Sequence, residues 1–458
     1  MESTHSLPVA VIGAGPVGLA AAAHLLENGL EPLIFEAGES AGAAIEQWRH
    51  IRLFSPWRYN TDPASLRLLE ASGWQPPRPT AVPHGGELID RYLTPLAALP
   101  AISARLRTGA RVTAVTRAGM DKTHTRNRDT TPFTVRVEHR NGETRDHTVA
   151  AVIDASGTWS TRNPLGTSGL PALGEDAAAD RISAPLPDVT GRDRVAFAGR
   201  RVLVVGAGHS AANTLINLAD VTKEDPATRI LWAVRGASAE KVYGGGDADG
   251  LPARGQLGSR LRRLVEGGRI ELYTGFGIAS LTPTGSGVSI EALDGRTLEV
   301  DIVVPCTGFR PDLGMLRELR LDLDPAVEAP VRLGPLIDPE FHSCGTVPPH
   351  GASVLAHPEK DFYLVGMKSY GRAPTFLLAT GYEQVRSVAA ALAGDRQAAN
   401  TVHLELPETG VCSTDAGTSC DIPAAATPAS EQARCCATPE PVLIGFPTGL
   451  AHGRSGSN

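Results

Sequence analysis

The stretch that decides the fold is residues 8–37, PVAVIGAGPVGLAAAAHLLENGLEPLIFEA. A short apolar run leads into the pattern Gly13-x-Gly15-x-x-Gly18, and an alanine- and leucine-rich helix pattern follows. Between a strand and a helix, the first glycine permits a tight turn, the second lets main chain approach a pyrophosphate, and the third allows close helix packing. The pattern therefore predicts a βαβ unit that binds a dinucleotide, in preference to a glycine turn without a ligand.

The ends of this unit refine the prediction. A helix that begins at Pro16 offers unpaired amide groups and the positive end of its dipole to phosphates. Glu36 ends the second apolar run, at the position where a carboxylate accepts hydrogen bonds from a ribose hydroxyl. Because a carboxylate would repel a 2′-phosphate, the first unit suits an adenosine with an unphosphorylated ribose.

The same plan recurs at residues 201–235, where RVLVVGAGHSAANTLINLAD is followed by a polar loop and RILWAVR. Gly206 and Gly208 repeat the first two glycines, and an alanine takes the place of the third. Arg235 ends the second strand where the first unit has Glu36, and an arginine is a charge-assisted partner for a phosphate. This predicts NADPH rather than NADH at the second unit; the alternative is a solvated strand-end charge. His209 and Ser210 fall at the phosphate turn and are predicted to line it.

The repeats also predict the domain order. A β-meander pattern follows each unit, with hairpin turns at Asn141-Gly142 and Asp294-Gly295. Each meander ends in an apolar strand that runs into a small-residue turn, Ser156-Gly157 and Thr307-Gly308. A last strand and helix pattern at 361–394 completes the first sheet, so the second unit is inserted in the first domain. The predicted segments are 1–190 and 301–400 for the first domain, 191–300 for the second, and a flexible tail at 401–458.

Composition limits the classes of partner. The chain has 458 residues and a net charge of −7, which argues against nucleic acid and against anionic membranes. No apolar run approaches the ~20 residues of a membrane span. Six cysteines in this length do not form a disulfide scaffold, so we expect a reducing cytoplasm. The spacings of the cysteines do not match a zinc finger or ribbon, and we expect no metal site.

Taken together, residues 7–398 resemble the flavoproteins with two dinucleotide-binding domains, which include thioredoxin-reductase-like enzymes and flavin-containing monooxygenases. The resemblance implies an α/β fold with an FAD-binding Rossmann-like domain, an inserted NADPH-binding Rossmann-like domain, and hydride transfer to the flavin. The turns at Ser156-Gly157 and Thr307-Gly308 resemble those where the backbone crosses between the domains. Gly366 and Gly381 match the segment that meets the flavin, whereas Met367 stands where the family usually has aspartate. Trp48 is expected beside the cofactor.

The sequence determines the cofactors more closely than it determines the acceptor to which the flavin passes its electrons. No cysteine precedes Cys306, so a standard redox pair beside the flavin is disfavoured, and Cys306 is expected to be a packed residue. Cys344 is the better reactive candidate. Asn60 resembles the oxygen-handling asparagine of the flavin-containing monooxygenases, although an asparagine that caps the following helix is the alternative. The FxGxxxH signature of that family is absent.

Four segments look similar to a narrower bacterial group, the flavoprotein monooxygenases encoded in arsenic-resistance clusters: RLFSPWRYN, KVYGGGDADGLPARG, HSCGTVPPHG and GMKSYGRAPTFLLATGYEQV. The adjacent Cys435-Cys436 resembles the tail pair of mercuric reductases, and soft thiolates favour soft ions. We therefore expect FAD, NADPH, a small-molecule substrate with a soft heteroatom, and molecular oxygen, with a homodimer left open. The alternatives are a thiol or metalloid reductase that uses Cys344 or the tail cysteines (Cys412, Cys420, Cys435, Cys436), and a non-catalytic flavin sensor.

Overall fold

The computed structural model describes residues 7–244, 251–339, 347–373 and 376–404. Cys344 and the four cysteines of the predicted tail lie outside these residues, as do residues 245–250 of the quoted segment KVYGGGDADGLPARG. The strands are β1 (Val9–Ile12), β2 (Pro32–Phe35), β3 (Leu106–Arg107), β4 (Ala110–Arg117), β5 (Phe133–His139), β6 (Thr144–Val149), β7 (Ala151–Asp154), β8 (Arg201–Val205), β9 (Arg229–Ala233), β10 (Glu271–Tyr273), β11 (Ile278–Pro283), β12 (Val288–Ala292), β13 (Thr297–Val300), β14 (Ile302–Pro305) and β15 (Phe362–Leu364).

The helices are α1 (Pro16–Glu27), α2 (Ala43–Glu46), α3 (Pro63–Glu70), α4 (Gly85–Leu88), α5 (Thr94–Ala98), α6 (Pro100–Ser103), α7 (Arg194–Phe197), α8 (His209–Glu224), α9 (Glu240–Tyr243), α10 (Pro252–Glu266), α11 (Gly334–Ile337), α12 (Ala352–Leu355), α13 (Leu378–Leu392) and α14 (Arg396–Asn400). Within the described ranges, no helix is both long and apolar enough to cross a membrane.

The first sheet is built of parallel strands in the order β15-β7-β1-β2-β3. All four residues of β1 are buried, as expected for a central strand covered on both faces. The helix α1 packs against α13, which follows β15 near the end of the described chain. Because β15 joins the sheet that β1 starts, the intervening second domain is inserted in the first, as predicted.

The second sheet has the order β10-β9-β8-β14, again parallel. Its last strand, β14, lies past the predicted boundary at 300, and it pairs residue by residue with β8. Leu165 and Ala178, which precede the predicted boundary at 190, are buried in the core that β8 and β9 share with the second meander. The second domain therefore draws on residues from both sides of the predicted segment.

Both meanders form antiparallel three-stranded sheets, β4-β5-β6 and β11-β12-β13. Gly142 and Gly295 turn their hairpins at φ +82° and +85°, where glycine is strongly favoured. The sequence predicted a single apolar strand at the end of each meander, but the structure divides this segment into two strands. The largely exposed β6 and the alternating β13 stay in the meanders, while the almost fully buried β7 and β14 enter the parallel sheets, where both of their faces are covered.

A buried ion cluster ties the first meander to the segment that enters β15. The carboxylate of Glu359 accepts hydrogen bonds from Arg117 Nε at 2.7 Å and from Arg128 at 2.8–3.2 Å. The Arg117 and Glu359 side chains are 1% and 0% exposed. Burial alone would raise the pKa of Glu359, but the hydrogen bonds from Arg128, the Arg320 amide and Arg117 outweigh it and lower the pKa.

Candidate functional site

The first glycine turn has the shape of a phosphate cradle. Gly13 adopts φ +98°, and a Cβ there would lie 2.8 Å from the carbonyl oxygen of Ala155. A Cβ at Gly18 would lie 1.9 Å from the carbonyl oxygen of Gly13, so only glycine lets α1 approach the turn. At Gly15 a Cβ would meet no atom within 4 Å, which leaves its main chain open to a ligand at the start of α1. Pro16 begins the helix at N1, where its missing amide hydrogen costs no hydrogen bond. These features fit the pyrophosphate of FAD.

The Glu36 carboxylate accepts hydrogen bonds from this turn and can still accept further hydrogen bonds from a ligand. One carboxylate oxygen accepts from the Ala14 amide and the other from the Gly38 amide, each at 2.7 Å. Because each carboxylate oxygen has about two lone-pair sites, both can still accept from the hydroxyls of a ribose. Sequence reasoning assigned Glu36 a ribose alone; the structure adds that it orders the loop between the strand end and the turn.

The second glycine turn has the same shape as the first, but different residues pack against it. Gly206 adopts φ +133°, and a Cβ there would lie 2.0 Å from the carbonyl oxygen of Cys306. Trp232 Nε1 donates to the Gly206 carbonyl at 2.8 Å. A Cβ at Gly208 would meet no atom within 4 Å, so this turn is also open where a phosphate would approach. His209 and Ser210 are the first two residues of α8, as expected for residues that line a phosphate turn.

Arg235 lies just after β9, exposed at the carboxyl edge of the second sheet. Its guanidinium donates to the Thr167 carbonyl at 3.2 Å, a neutral partner that leaves its positive charge unneutralised by that contact. This placement fits a 2′-phosphate just beyond the end of β9. Arg235 lies one residue further along than the sequence comparison implied, because Val234 is the residue that follows β9 as Glu36 follows β2.

The two small-residue turns mark where the chain crosses between the domains, and the crossing segments are hydrogen-bonded to each other. The Asn163 amide donates to the Gly308 carbonyl at 2.9 Å, and Thr307 Oγ1 donates to the Asn163 carbonyl at 2.6 Å. Gly157 and Gly308 adopt φ +70° and +83°. Asn163, which no motif singled out, thus connects the segment that follows Ser156-Gly157 to the turn at Thr307-Gly308.

Aromatic side chains line the same junction. Trp159 and Phe309, one from each crossing segment, have ring centroids 4.7 Å apart. Trp48 lies 6.4 Å from Trp159 between ring centroids, so it belongs to this aromatic group rather than to the glycine turn. Phe54 of the first domain contacts His209 of the second, with centroids 5.0 Å apart.

Asn60 is fully buried inside its own loop. Its Nδ2 donates to the carbonyls of Ser55 at 2.7 Å and Pro56 at 3.2 Å, and its Oδ1 accepts from Ser55 Oγ at 2.8 Å. The cap of the following helix is Asp62, whose side chain accepts from the Ser65 amide. Asn60 therefore closes the loop that carries Phe54, and it is not the helix cap that the alternative expected.

A network of buried polar side chains forms hydrogen bonds with the turn that follows β15. Gly366 adopts φ +66° and donates its amide to Gln384 Oε1 at 2.7 Å. Gln384 also contacts His350 Nε2 and Ser369 Oγ, each at 2.9 Å, and burial lowers the pKa of His350. A Cβ at Gly381 would lie 2.7 Å from Val17 of α1, so this glycine lets α13 pack closely. Met367 is half-buried at the turn. Gln384 and His350 were missed because their spacing resembles no motif.

A second set of buried charges lies at the same edge. Lys368 Nζ donates to Asp154 Oδ2 at 2.7 Å and to Ser156 Oγ at 3.0 Å. The Lys368 and Asp154 side chains are 1% and 0% exposed. Lys368 lies in one of the segments quoted above and Asp154 lies two residues before Ser156, but the separation of 214 positions between them gave no sign of the contact.

Cys306 is the one cysteine among the described residues, and it is buried. Its sulfur lies 3.9 Å from Thr214 Oγ1, and burial raises the pKa of the thiol to about 12. A thiol with so high a pKa is a poor nucleophile, in agreement with the expectation of a packed residue. In the same described ranges, no three His, Cys, Asp or Glu side chains are grouped to hold a metal ion.

The family model for pyridine nucleotide-disulphide oxidoreductases matches residues 7–331. The chain belongs to this family, whose members use FAD and NAD(P)H. The predicted cofactor pair of FAD with a nicotinamide dinucleotide and the predicted two-domain α/β fold are thereby confirmed.

Individual relatives are distant. A ferredoxin–NADP reductase of Rickettsia felis is 28% identical over 136 residues, which cover 29% of this chain and 36% of that protein. The chain thus spans about a third of the length of the curated relatives it matches. Among solved structures, bacillithiol disulfide reductase from Bacillus cereus has a TM-score of 0.63 at 18% identity, over 85% of this chain and 99% of its own. A flavin-containing monooxygenase from Stenotrophomonas maltophilia has a TM-score of 0.51 at 21% identity, over 85% and 98%. These likenesses concern the fold.

Proposed function

We propose that this protein is an NADPH-dependent flavoprotein monooxygenase that acts on a small substrate with a soft heteroatom. The observation that carries the oxidoreductase assignment is the pair of open glycine turns, each at the start of a helix on its own parallel sheet. FAD is assigned to the turn of Gly13, Gly15 and Gly18 with Glu36, and NADPH to the turn of Gly206 and Gly208 with Arg235.

When bound, FAD would take a hydride from NADPH and pass two electrons to oxygen. The protein's part is to orient both dinucleotides and to exclude water between them. Arg235 binds the 2′-phosphate, and the amides at the start of α8 bind the pyrophosphate. The loop closed by Asn60 and Ser55 carries Phe54 onto His209, which covers the junction from the side of the first domain.

The net reaction is written for a thioether as an example: R₂S + O₂ + NADPH + H⁺ gives R₂SO + H₂O + NADP⁺. One oxygen atom goes to sulfur and the other leaves as water, while NADPH supplies two electrons. Two features favour oxygen as acceptor: the covered junction, and a Cys306 thiol that is buried with a raised pKa. A trivalent arsenical is a soft substrate of the same class, in line with the resemblance to arsenic-cluster enzymes.

A second candidate is a thiol or metalloid reductase. It rests on the fold shared with bacillithiol disulfide reductase and on cysteines outside the described residues, of which Cys344 and the Cys435-Cys436 pair are the candidates. In this alternative, electrons leave the flavin for a disulfide or a metalloid, and oxygen is not consumed.

Anaerobic reduction followed by mixing with an acceptor separates the two. We expect NADPH to reduce the bound flavin, and oxygen with a thioether or a trivalent arsenical to reoxidise it and yield one oxygenated product per NADPH. Reoxidation by a disulfide in the absence of oxygen, lost in the Cys344→Ser variant or in a Cys435→Ser/Cys436→Ser variant, would establish the reductase instead. Hydrogen peroxide as the sole product would contradict the monooxygenase.

A further inference from the structure

The Asp154–Lys368 pair is placed where three strands of the first sheet end. Asp154 is the last paired residue of β7, opposite Ile12 on one side and Leu364 on the other. Gly13 follows Ile12 directly, and a Cβ at Gly13 would lie 3.0 Å from the Cα of Ser156. Since Lys368 Nζ hydrogen-bonds Ser156 Oγ, the ammonium lies one residue away from the glycine turn.

The hydrogen bonds of this pair are asymmetric. Asp154 Oδ1 accepts from the Ser156 amide at 3.1 Å and from Ser156 Oγ at 2.6 Å, while Oδ2 accepts from Lys368. The hydrogen bonds with Asp154 and Lys368 together orient Ser156, which is exposed at the carboxyl edge of the sheet, next to the first glycine turn. Lys368 Nζ has three hydrogens, and these contacts use two of them.

Stability alone is a weak reason for such a pair, because removing two charges from water costs about as much as their attraction returns. Their place is informative: ligands of α/β sheets bind outside the carboxyl ends of the strands, and FAD brings a doubly charged pyrophosphate to that edge. Met367, next to Lys368, is an uncharged, half-buried residue, so it adds no negative charge beside the ammonium.

We infer that Lys368 is a positioning residue of the cofactor site, whose positive charge, balanced by Asp154, sets the affinity and reduction potential of FAD. This rests on the proposed assignment of FAD to the first domain. The charge acts through the low-dielectric edge of the sheet and through Ser156, so its sign as well as its hydrogen bonds matters.

Two single substitutions break the same ion pair but leave opposite charges, which distinguishes an electrostatic role from a structural one. Lys368→Met leaves the Asp154 carboxylate beside the pyrophosphate, and we expect FAD to bind about tenfold more weakly. Asp154→Asn leaves the ammonium, and we expect FAD to bind at least as tightly as in the wild type. The measurement is the Kd of FAD for the deflavinated full-length chain by fluorescence titration at about pH 8, with the midpoint potential of the bound flavin as a second readout.

The potential has an expected direction. Reduction adds negative charge to the flavin, so Asp154→Asn should raise the midpoint potential and Lys368→Met should lower it. A structural role predicts instead that both variants weaken FAD binding to a similar extent, and that result would overturn the inference. Unchanged affinity in both variants would also overturn it.

The Arg117–Glu359 pair is the matched control, since it is equally buried and lies before the other end of β15. Glu359→Gln should lower the free energy of unfolding and leave the Kd of FAD unchanged; weakening equal to that of Lys368→Met would attribute the effect to general destabilisation. If Lys368→Met does not fold, Asp154→Asn is compared with the double variant Asp154→Asn/Lys368→Met. The inference then requires tighter FAD binding in the single variant, and equal or weaker binding refutes it. A wild-type chain that binds no FAD would refute the cofactor assignment itself.

Discussion

The phenyl ring of Phe54 lies against the imidazole of His209, with ring centroids 5.0 Å apart. Phe54 belongs to the loop that follows the first βαβ unit, and His209 is the first residue of α8, the helix that follows the glycine turn of the second unit. This contact joins a loop of the first domain to the start of α8 in the second domain. The loop can hold this position because its base is closed by Asn60 and Ser55.

Removal of the Phe54 ring should open the domain junction to water. For Phe54→Ala we expect hydrogen peroxide to rise several-fold relative to oxygenated product, because a shielded site prevents wasteful reoxidation. The affinity for FAD should not change. The ratio of peroxide to product per NADPH consumed measures this. Tyr59→Ala is the control on the same loop, since the Tyr59 ring packs against Arg58 instead; an unchanged ratio in Phe54→Ala would show that the contact does not shield the site.

The two open glycines should separate the two dinucleotides. A methyl group at Gly15 or at Gly208 meets no protein atom within 4 Å, and both residues have negative φ, so neither alanine variant should lose stability. Gly15→Ala should weaken FAD at least about tenfold by blocking close approach of the phosphate, while Gly208→Ala should weaken NADPH alone. Titrations of each variant with both dinucleotides, next to urea unfolding curves, test this. Equal loss of both ligands in either variant would contradict the assignment of one turn to each.

Arg235 should select the phosphorylated coenzyme. Arg235→Ala removes a charge-assisted contact, so NADPH binding should weaken about 10- to 100-fold while NADH binding stays the same. The ratio of kcat/KM for the two coenzymes is the measurement. Arg229→Ala, at the exposed start of the same strand, should leave the ratio unchanged. An equal decrease for NADH and NADPH in Arg235→Ala would remove the reason to choose the phosphorylated form.

Asn60 and Ser55 should behave as one structural unit. Asn60→Ala leaves Ser55 Oγ and the Ser55 carbonyl without the partners they have now, and Ser55→Ala leaves Asn60 Oδ1 unpaired. Each variant should lower the free energy of unfolding by about 1–3 kcal/mol. If the two variants lose coupling between NADPH oxidation and product in parallel, Asn60 acts by closing the loop. Loss of coupling in Asn60→Ala with full retention in Ser55→Ala would instead support a direct role with oxygen.

Glu359 should make stability depend on pH in the acid range. Its pKa is lowered in the folded protein, so it contributes stability that is fully present above its unfolded value of about 4.3 and is lost as pH falls through the lower folded value. Glu359→Gln should cost about 3–5 kcal/mol at neutral pH because two buried guanidinium groups lose their counter-ion. It should also flatten the decline of stability below about pH 5. Urea unfolding from pH 3 to 7 measures both effects, and an unchanged acid slope in the variant would exclude Glu359 as its source.

Much of the architecture could be predicted because local patterns repeat. The glycine spacing at 13–18 and 206–211, each between a strand and a helix, predicted two dinucleotide units, and the strand and helix pattern at 361–394 predicted the return to the first sheet. The strand divisions at Ala150 and Asp301 were missed because apolar residues stand on both sides of each point, and neither alanine nor a single aspartate is a turn signal by itself. Only pairing shows where the meander ends and the parallel sheet begins.

The amino-acid sequence by itself determined the tight turns that only glycine tolerates, the acidic and basic residues near the strand ends on which the proposed coenzyme assignment rests, and the nested order of the domains. These depend on backbone geometry and charge within a few tens of residues, so they are legible along the chain. The tertiary structure alone decided that Lys368 meets Asp154, that Phe54 reaches His209 and that Asn60 bonds within its own loop. Such contacts join residues through space, and their energies depend on burial, which no local pattern encodes.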